Sequence, residues 1–195
     1  VIVGCKKDTP SNTPAPVNTT PYYFQKPSNF ADPYLPADNP MTLEGIKLGR
    51  HLYYETKLSV NNTVSCATCH VQDYNFSLPL ENGVGVNGKT PNSVMIHSNL
   101  AWQKDFLWNG AAVSIEDVVY HTIIDPIEMD NTWELALERL EADPKYVAMF
   151  NDAFGSNSIT TDNACKAVGQ FVRTFISADS KYDAWQKGTY QMTSS

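Results

Sequence analysis

Cys66-Ala67-Thr68-Cys69-His70 is the stretch that decides how the rest of the chain is read. Two cysteines at i and i+3, followed at once by histidine, form the attachment signature of c-type haem. Each thiol must reach one vinyl group on the same edge of a porphyrin, so both sulfurs have to leave a single tight turn of backbone. The adjacent His70 then brings its imidazole under the iron as the proximal ligand. Two other readings exist for this spacing. Half a zinc site would need a second pair of ligands, and the sequence has no second paired cluster. A thioredoxin-like redox pair would need a βαβ setting, and no strand alternation flanks the motif.

The chain is long enough, at 195 residues, for one domain with a real core, and its 42% hydrophobic and 18% charged residues are ordinary for a globular protein. A formal net charge of −7 argues against nucleic acid as a partner. Haem propionates would add to that charge, and a basic electron-transfer partner would be steered toward it.

Of the other two cysteines, Cys165 sits in an apolar helical pattern and reads as a small buried residue. Cys5 closes Val1-Ile2-Val3-Gly4-Cys5 and is followed by Lys6-Lys7-Asp8. An apolar run ending in Gly-Cys resembles a bacterial lipobox, which would make Cys5 the lipidated first residue and residues 1–4 the remnant of a signal peptide. The alternative is an ordinary cysteine near the N-terminus. Attachment of c-type haem is an extracytoplasmic process, which favours the lipid-anchored reading and a periplasmic or cell-envelope location. No segment is long and apolar enough to span a bilayer as a helix.

Residues 1–38 read as this signal remnant and a proline-rich tether, because eight of the 12 prolines fall within residues 1–40. Tyr22, Tyr23, Phe24, Phe30 and Tyr34 are more aromatic than a spacer needs, so part of the tether is expected to pack on the domain. Residues 39–195 read as the c-type haem domain. A helix is predicted from Pro40, placed in its first turn, to about Tyr54. Residues 71–112, rich in Gly and Asn, are predicted irregular, long enough to wrap the haem. Ser114-Ile115-Glu116-Asp117 resembles a capping box opening a helix that Asp125-Pro126 ends. Trp133, Ala136, Leu137 and Leu140 give one helical face. Asp143-Pro144 opens the next helix, which Gly155 closes, and Thr160 or Thr161 caps a last long one that carries Phe171 and Phe175. The fold class is all-α: a cytochrome c-like helical haem domain with long irregular loops and an extended N-terminal tether.

Leu48-Gly49-Arg50-His51-Leu52-Tyr53-Tyr54, Lys57-Leu58-Ser59 and Val64-Ser65 ahead of the haem turn resemble the N-terminal haem domain of bacterial di-haem cytochrome c peroxidases and the related MauG proteins. The likeness continues through Asn99-Leu100-Ala101-Trp102, Phe106-Leu107-Trp108-Asn109-Gly110, Asp125-Pro126-Ile127-Glu128-Met129 and Phe171-Val172-Arg173-Thr174-Phe175. What it implies is a peroxidase that reduces hydrogen peroxide with electrons from a small c-type cytochrome or a second haem domain. Glu128 matches the distal acid–base glutamate, and Trp108 the tryptophan lying between two haems. Asn92 is set against an asparagine near a calcium ion. The chain departs from the pattern in several places. No second CxxCH occurs in it, so a second haem domain is not present in this chain. The loop Gly83-Val84-Gly85-Val86-Asn87-Gly88 lacks the iron-capping histidine of many relatives. Thr122 and Ala111 replace a usual proline and arginine.

The residues leave more than one function open. A peroxidase needs an iron with an open sixth position and a proton carrier beside it, the role Glu128 would fill. Taken without the resemblance, Glu128 reads as a surface glutamate after a helix-breaking proline. His97, His121, Met95 and Met129 are the candidates for a sixth ligand, which would make the chain an electron carrier or the haem subunit of an envelope complex. Arg50 and His51 are candidate partners of a propionate.

Overall fold

Two helices cross at the centre of the molecule, α1 (Leu43–Tyr53) and α6 (Thr161–Arg173). The computed structural model describes residues 17–193, and among them the remaining regular structure is five further α-helices, three single-turn 3-10 helices and one short hairpin. The crossing is close because its contact residues are small. A Cβ on Gly45 would run into the Gln170 side chain, and one on Gly49 into the Ala167 carbonyl. α1 turns Leu48, Leu52 and Tyr53 inward, and α6 answers with Val168, Phe171 and Val172. α3 (Ile115–Ile124) packs on α6, α5 (Pro144–Phe154) on α1, and α4 (Trp133–Glu141) on α5.

Side-chain caps start these helices where the sequence signals stand. Ser114 Oγ accepts the Asp117 N–H at 3.0 Å, and the Asp117 carboxylate accepts the Val113 N–H at 3.1 Å, one residue outside the cap. Asp143 precedes Pro144 at the start of α5, and Thr160 caps α6. Each such cap is worth roughly 1 kcal/mol.

Three boundaries differ from the sequence reading. α1 begins at Leu43 rather than at Pro40, because residues 41–42 are held against residues 20–22 by Tyr22 N–H to Met41 O and Leu43 N–H to Thr20 O, both 2.9 Å. Thr42 Oγ1 then caps the Gly45 N–H. α6 stops at Arg173, and Phe175 lies in the turn after it, where its N–H bonds Val172 O at 3.0 Å. A short helix, α7 (Lys181–Gln186), follows a Ser180–Asp183 capping box. Within the proline-rich segment, Phe24 and Phe30 meet Trp102 edge-on at 5.4 and 4.8 Å, and the Trp102 indole donates to Ala31 O. These residues lie against the domain.

A polar network is buried beside the crossing. Arg173, 3% exposed, pairs with both oxygens of Glu116 at 2.7 and 2.9 Å. Asn39 donates to Glu116 at 2.7 Å and accepts from Gln170 at 2.8 Å, and Gln170 accepts the Thr42 N–H at 2.9 Å. One set of bonds therefore ties the start of α1 to α3 and α6.

Candidate haem site

The segment before the cysteines is built by backbone capture. Ser59 Oγ accepts the N–H groups of Thr63 and Val64 at 3.1 and 3.0 Å. From α4, Arg139 donates to the carbonyls of Lys57, Ser59 and Val60. The chain then enters α2 (Cys66–Cys69), a single helical turn in which Thr68 Oγ1 accepts the Ser65 N–H at 3.0 Å. His70 N–H closes the turn on Cys66 O at 2.9 Å.

The residues after the motif fold back on it. Val71 pairs with Ser77, and Asn75 and Phe76 both take left-handed backbone, at φ of 60° and 58°. This reversal brings Phe76 O to 3.1 Å from His70 Nδ1. A carbonyl only accepts, so Nδ1 carries the ring proton and Nε2 keeps its lone pair, the tautomer a metal ligand needs. Burial lowers the His70 pKa to about 4, opposed by the Phe76 and Met95 carbonyls, so the ring is neutral at physiological pH.

Cys66 and Cys69 are not joined in a disulfide. Burial pushes Cys66 up to about 12 and raises Cys69 as well. Redox-active CxxC pairs lower a thiol pKa instead, so the electrostatics here run against the thioredoxin-like alternative. Among the described residues no group of three or more His, Cys, Asp and Glu side chains is placed to hold a metal ion, which removes the zinc alternative there.

Cys66, Cys69 and His70 line a cavity of about 490 Å³ whose walls are otherwise mainly apolar, among them Leu100, Phe106, Val119, Ile123 and Val172. A deep apolar pocket with a few polar groups is what a flat macrocycle requires. The donor set and the pocket fit a c-type haem held at its edge and ligated from below. Arg50 and His51 do not line this cavity.

Glu128 lines the same cavity from a turn that is tied on both sides. Within the turn, Asp125 Oδ1 accepts the N–H groups of Ile127 and Glu128 at 2.8 and 3.0 Å. From outside comes a hairpin of β1 (Val84–Gly85) and β2 (Gly88–Lys89). Its Val86 N–H donates to Glu128 O at 2.9 Å, and the Asn87 amide donates to Pro126 O and Asp130 Oδ2 at 2.7 and 2.8 Å. The hairpin approaches so closely that a Cβ on Gly85 would strike Ile127 O and Glu128 Cα. Burial first, then the charge of Asp125, raise the Glu128 pKa, and a hydrogen bond from Thr122 works the other way. The protonated form of this carboxyl is thus favoured more than that of a free glutamate.

Trp108 stands on a loop closed by Phe106–Ala112 pairing, with Leu107 and Gly110 at positive φ. Its indole donates to Ser93 O at 2.9 Å, and the residue is 66% exposed while still lining the cavity, so it marks the rim. His121 is exposed, lies 3.3 Å from Asp117, and does not line the cavity. His97 is stacked on His70 at 3.4 Å between ring centroids, which puts it on the flank of the His70 ring. Met95 and Met129 line the cavity. Asn92 also lines it and is exposed. Cys5 lies outside the described residues. The sequence reading missed Gly85, Asn87 and Tyr53 as parts of the site, since each acts through a neighbour distant in the chain.

Comparison with known proteins places the chain in a family. The sequence profile of the di-haem cytochrome c peroxidases matches residues 43–191. The methylamine utilization protein MauG of Methylorubrum extorquens is 35% identical over 85% of this chain and 46% of its own length. The cytochrome c peroxidase Ccp of Escherichia coli is 28% identical over 79% of this chain and 33% of its own. Among solved structures, a MauG-like protein associated with microbial copper homeostasis superposes with a TM-score of 0.81 and 32% identity, covering 88% of this chain and 52% of that one. The chain spans about half the length, or less, of these relatives.

Proposed function

Since the chain belongs to the di-haem cytochrome c peroxidase family, we propose that it carries one covalent haem c and reduces hydrogen peroxide in the periplasm or cell envelope. Cys66 and Cys69 would form the thioethers, and His70 Nε2 would ligate the iron. When bound, the haem supplies an iron that takes up peroxide oxygen and passes electrons to it. The donor is a small c-type cytochrome or a second haem domain outside residues 39–195. Cys5 would carry a lipid anchor, and a calcium ion near Asn92 would draw its other ligands from groups besides a carboxylate cluster.

The observation that carries this reading is Glu128 facing the same cavity as the haem turn. Peroxide cleavage needs a proton removed from one oxygen and delivered to the other, so that the departing oxygen leaves as water. A carboxyl whose pKa is raised by burial serves both halves of that transfer. Asp125 and the 84–89 hairpin hold its backbone, and the apolar walls exclude bulk water from the proton path.

A second reading rests on Trp108. An indole fixed by a hydrogen bond and two-thirds exposed at the rim could carry an electron from a partner protein to the cavity. The oxidised substrate would then be a protein side chain rather than a small cytochrome.

The test is Glu128→Gln in the haem-loaded protein. Peroxide turnover should drop roughly 10²- to 10⁴-fold, the usual share of general acid–base catalysis, with haem content unchanged. An unaltered rate removes Glu128 from the mechanism. A ferric spectrum that is wholly low-spin and insensitive to cyanide would instead identify an electron-transfer cytochrome.

A further inference from the structure

Two groups beside the haem turn are not used by the peroxidase reading, the buried Tyr53 and the half-buried His97. The His97 ring lies against that of His70, with centroids 3.4 Å apart and planes within 19°. His97 is itself fixed at two points. Its backbone N–H donates to Phe76 O at 3.2 Å, the carbonyl that also receives His70 Nδ1–H at 3.1 Å. Its Nδ1 lies 3.1 Å from the Tyr53 hydroxyl, which is also 3.4 Å from His70 O. Tyr53 has no exposed surface and is boxed by Phe171, Phe175 and Phe76 at 5.4, 5.7 and 6.4 Å. Phe76 in turn stacks on Phe175 at 3.7 Å.

An imidazole bound to a metal through Nε2 keeps one soft motion, rotation of its plane about the metal–nitrogen axis. The hydrogen bond from His70 Nδ1 to Phe76 O restrains that rotation from the edge of the ring. A second ring lying flat on one face restrains it further, provided that ring cannot turn. We propose that Tyr53 and His97 form a clamp that fixes the plane of the His70 imidazole, Tyr53 by pinning His97 and His97 by stacking on His70. Both are positioning residues: neither touches the iron or the peroxide. The clamp links the plane of the proximal ring to the α1–α6 crossing, because Tyr53 belongs to α1 and Phe171 to α6. It rests on His70 being the proximal ligand and is independent of any role for Glu128.

The experiment is electron paramagnetic resonance of the ferric haem-loaded protein as its cyanide adduct, whose low-spin g values depend on the axial imidazole plane. Wild type should give one narrow signal. His97→Ala removes the stacked ring and should move and broaden it. His97→Phe keeps a flat ring but loses the Tyr53 bond, and its signal should fall between those of wild type and His97→Ala. Tyr53→Phe deletes one oxygen and should give a smaller displacement in the direction of His97→Ala. A His97→Ala signal superimposable on wild type overturns the clamp, and so does a His97→Phe signal as displaced as that of His97→Ala. If His97→Ala yields no haem-loaded protein, Tyr53→Phe decides: a displaced signal supports the clamp and an unmoved one ends it. No turnover is needed, so failure here and failure of the peroxidase reading are separable.

Discussion

The α1–α6 crossing and the loops around the haem turn sit side by side and are held by different physics. The crossing rests on repeated contacts, with apolar side chains at helical spacing, glycines that let two backbones meet, and a buried ion pair. Around the haem turn almost nothing repeats. Arg139 grips three carbonyls, Ser59 grips two amides, and one hairpin grips the Glu128 turn. Repetition spreads a load over many residues, whereas single bonds concentrate it. Damage to the crossing should therefore cost stability and spare the chemistry. Damage to the loops should cost chemistry out of proportion to stability.

Glu116→Ala tests the first half of that contrast most severely. It leaves Arg173 buried without a counter-charge, and removing one partner of a buried pair costs about 3–5 kcal/mol. Denaturant unfolding of the haem-loaded protein should show this loss, while turnover per folded molecule stays near wild type. The pH dependence is a second mark. Burial works to raise the Glu116 pKa, but the Arg173 bond and charge overcome it, and the net shift is downward. The pair's contribution therefore stands in full above the ordinary glutamate value of 4.5 and is lost as pH falls below it. Wild type should lose stability in that acid range more steeply than Glu116→Ala. Equal slopes would mean that the pair is not what the crossing depends on.

Two glycines sharpen the comparison at a lower cost. Gly49→Ala drives a methyl into the Ala167 carbonyl, and Gly85→Ala drives one into the Glu128 backbone. Overpacking of this kind costs about 1–3 kcal/mol at either place. Melting temperatures should fall in both variants, yet only Gly85→Ala should slow peroxide turnover with haem content unchanged. If Gly49→Ala slows it equally, the two regions are mechanically one.

This difference also explains what the sequence reveals. CxxCH can be read because haem attachment is local, requiring two sulfurs and a ring on one turn. Helix starts at Ser114, Asp143-Pro144 and Thr160 can be read because a cap concerns residues three apart. Pro40 misleads, since the extended backbone that delays α1 to Leu43 comes from pairing with residues 20–22. Trp108 owes its place at the rim to a loop closed by Phe106–Ala112 pairing, which no periodicity reports. His97 reads as a possible iron ligand until Tyr53, forty-four positions earlier, fixes it against His70. Asn87 is silent in sequence, because both acceptors of its amide belong to the Glu128 turn some forty residues on. Periodicity reports the repeating half of the molecule and says nothing of bonds made once.

The smallest effects offer the most discriminating pair. Ser114→Ala deletes the cap of α3, at a cost near 1 kcal/mol. Asn87→Ala deletes two hydrogen bonds at the surface, and a net contribution of about 0.5–1.5 kcal/mol per bond puts it in the same range. Thermal unfolding should therefore scarcely tell the two variants apart. Peroxide kinetics should. Asn87→Ala frees the turn that carries Glu128 and should lower turnover several-fold, whereas Ser114→Ala should leave it unchanged. In a Glu128→Gln background the Asn87 effect should vanish, because a residue that works only by holding a carboxylic acid has nothing left to hold. Persistence of the full effect in the double variant would show that the hairpin serves the cavity by some route other than Glu128.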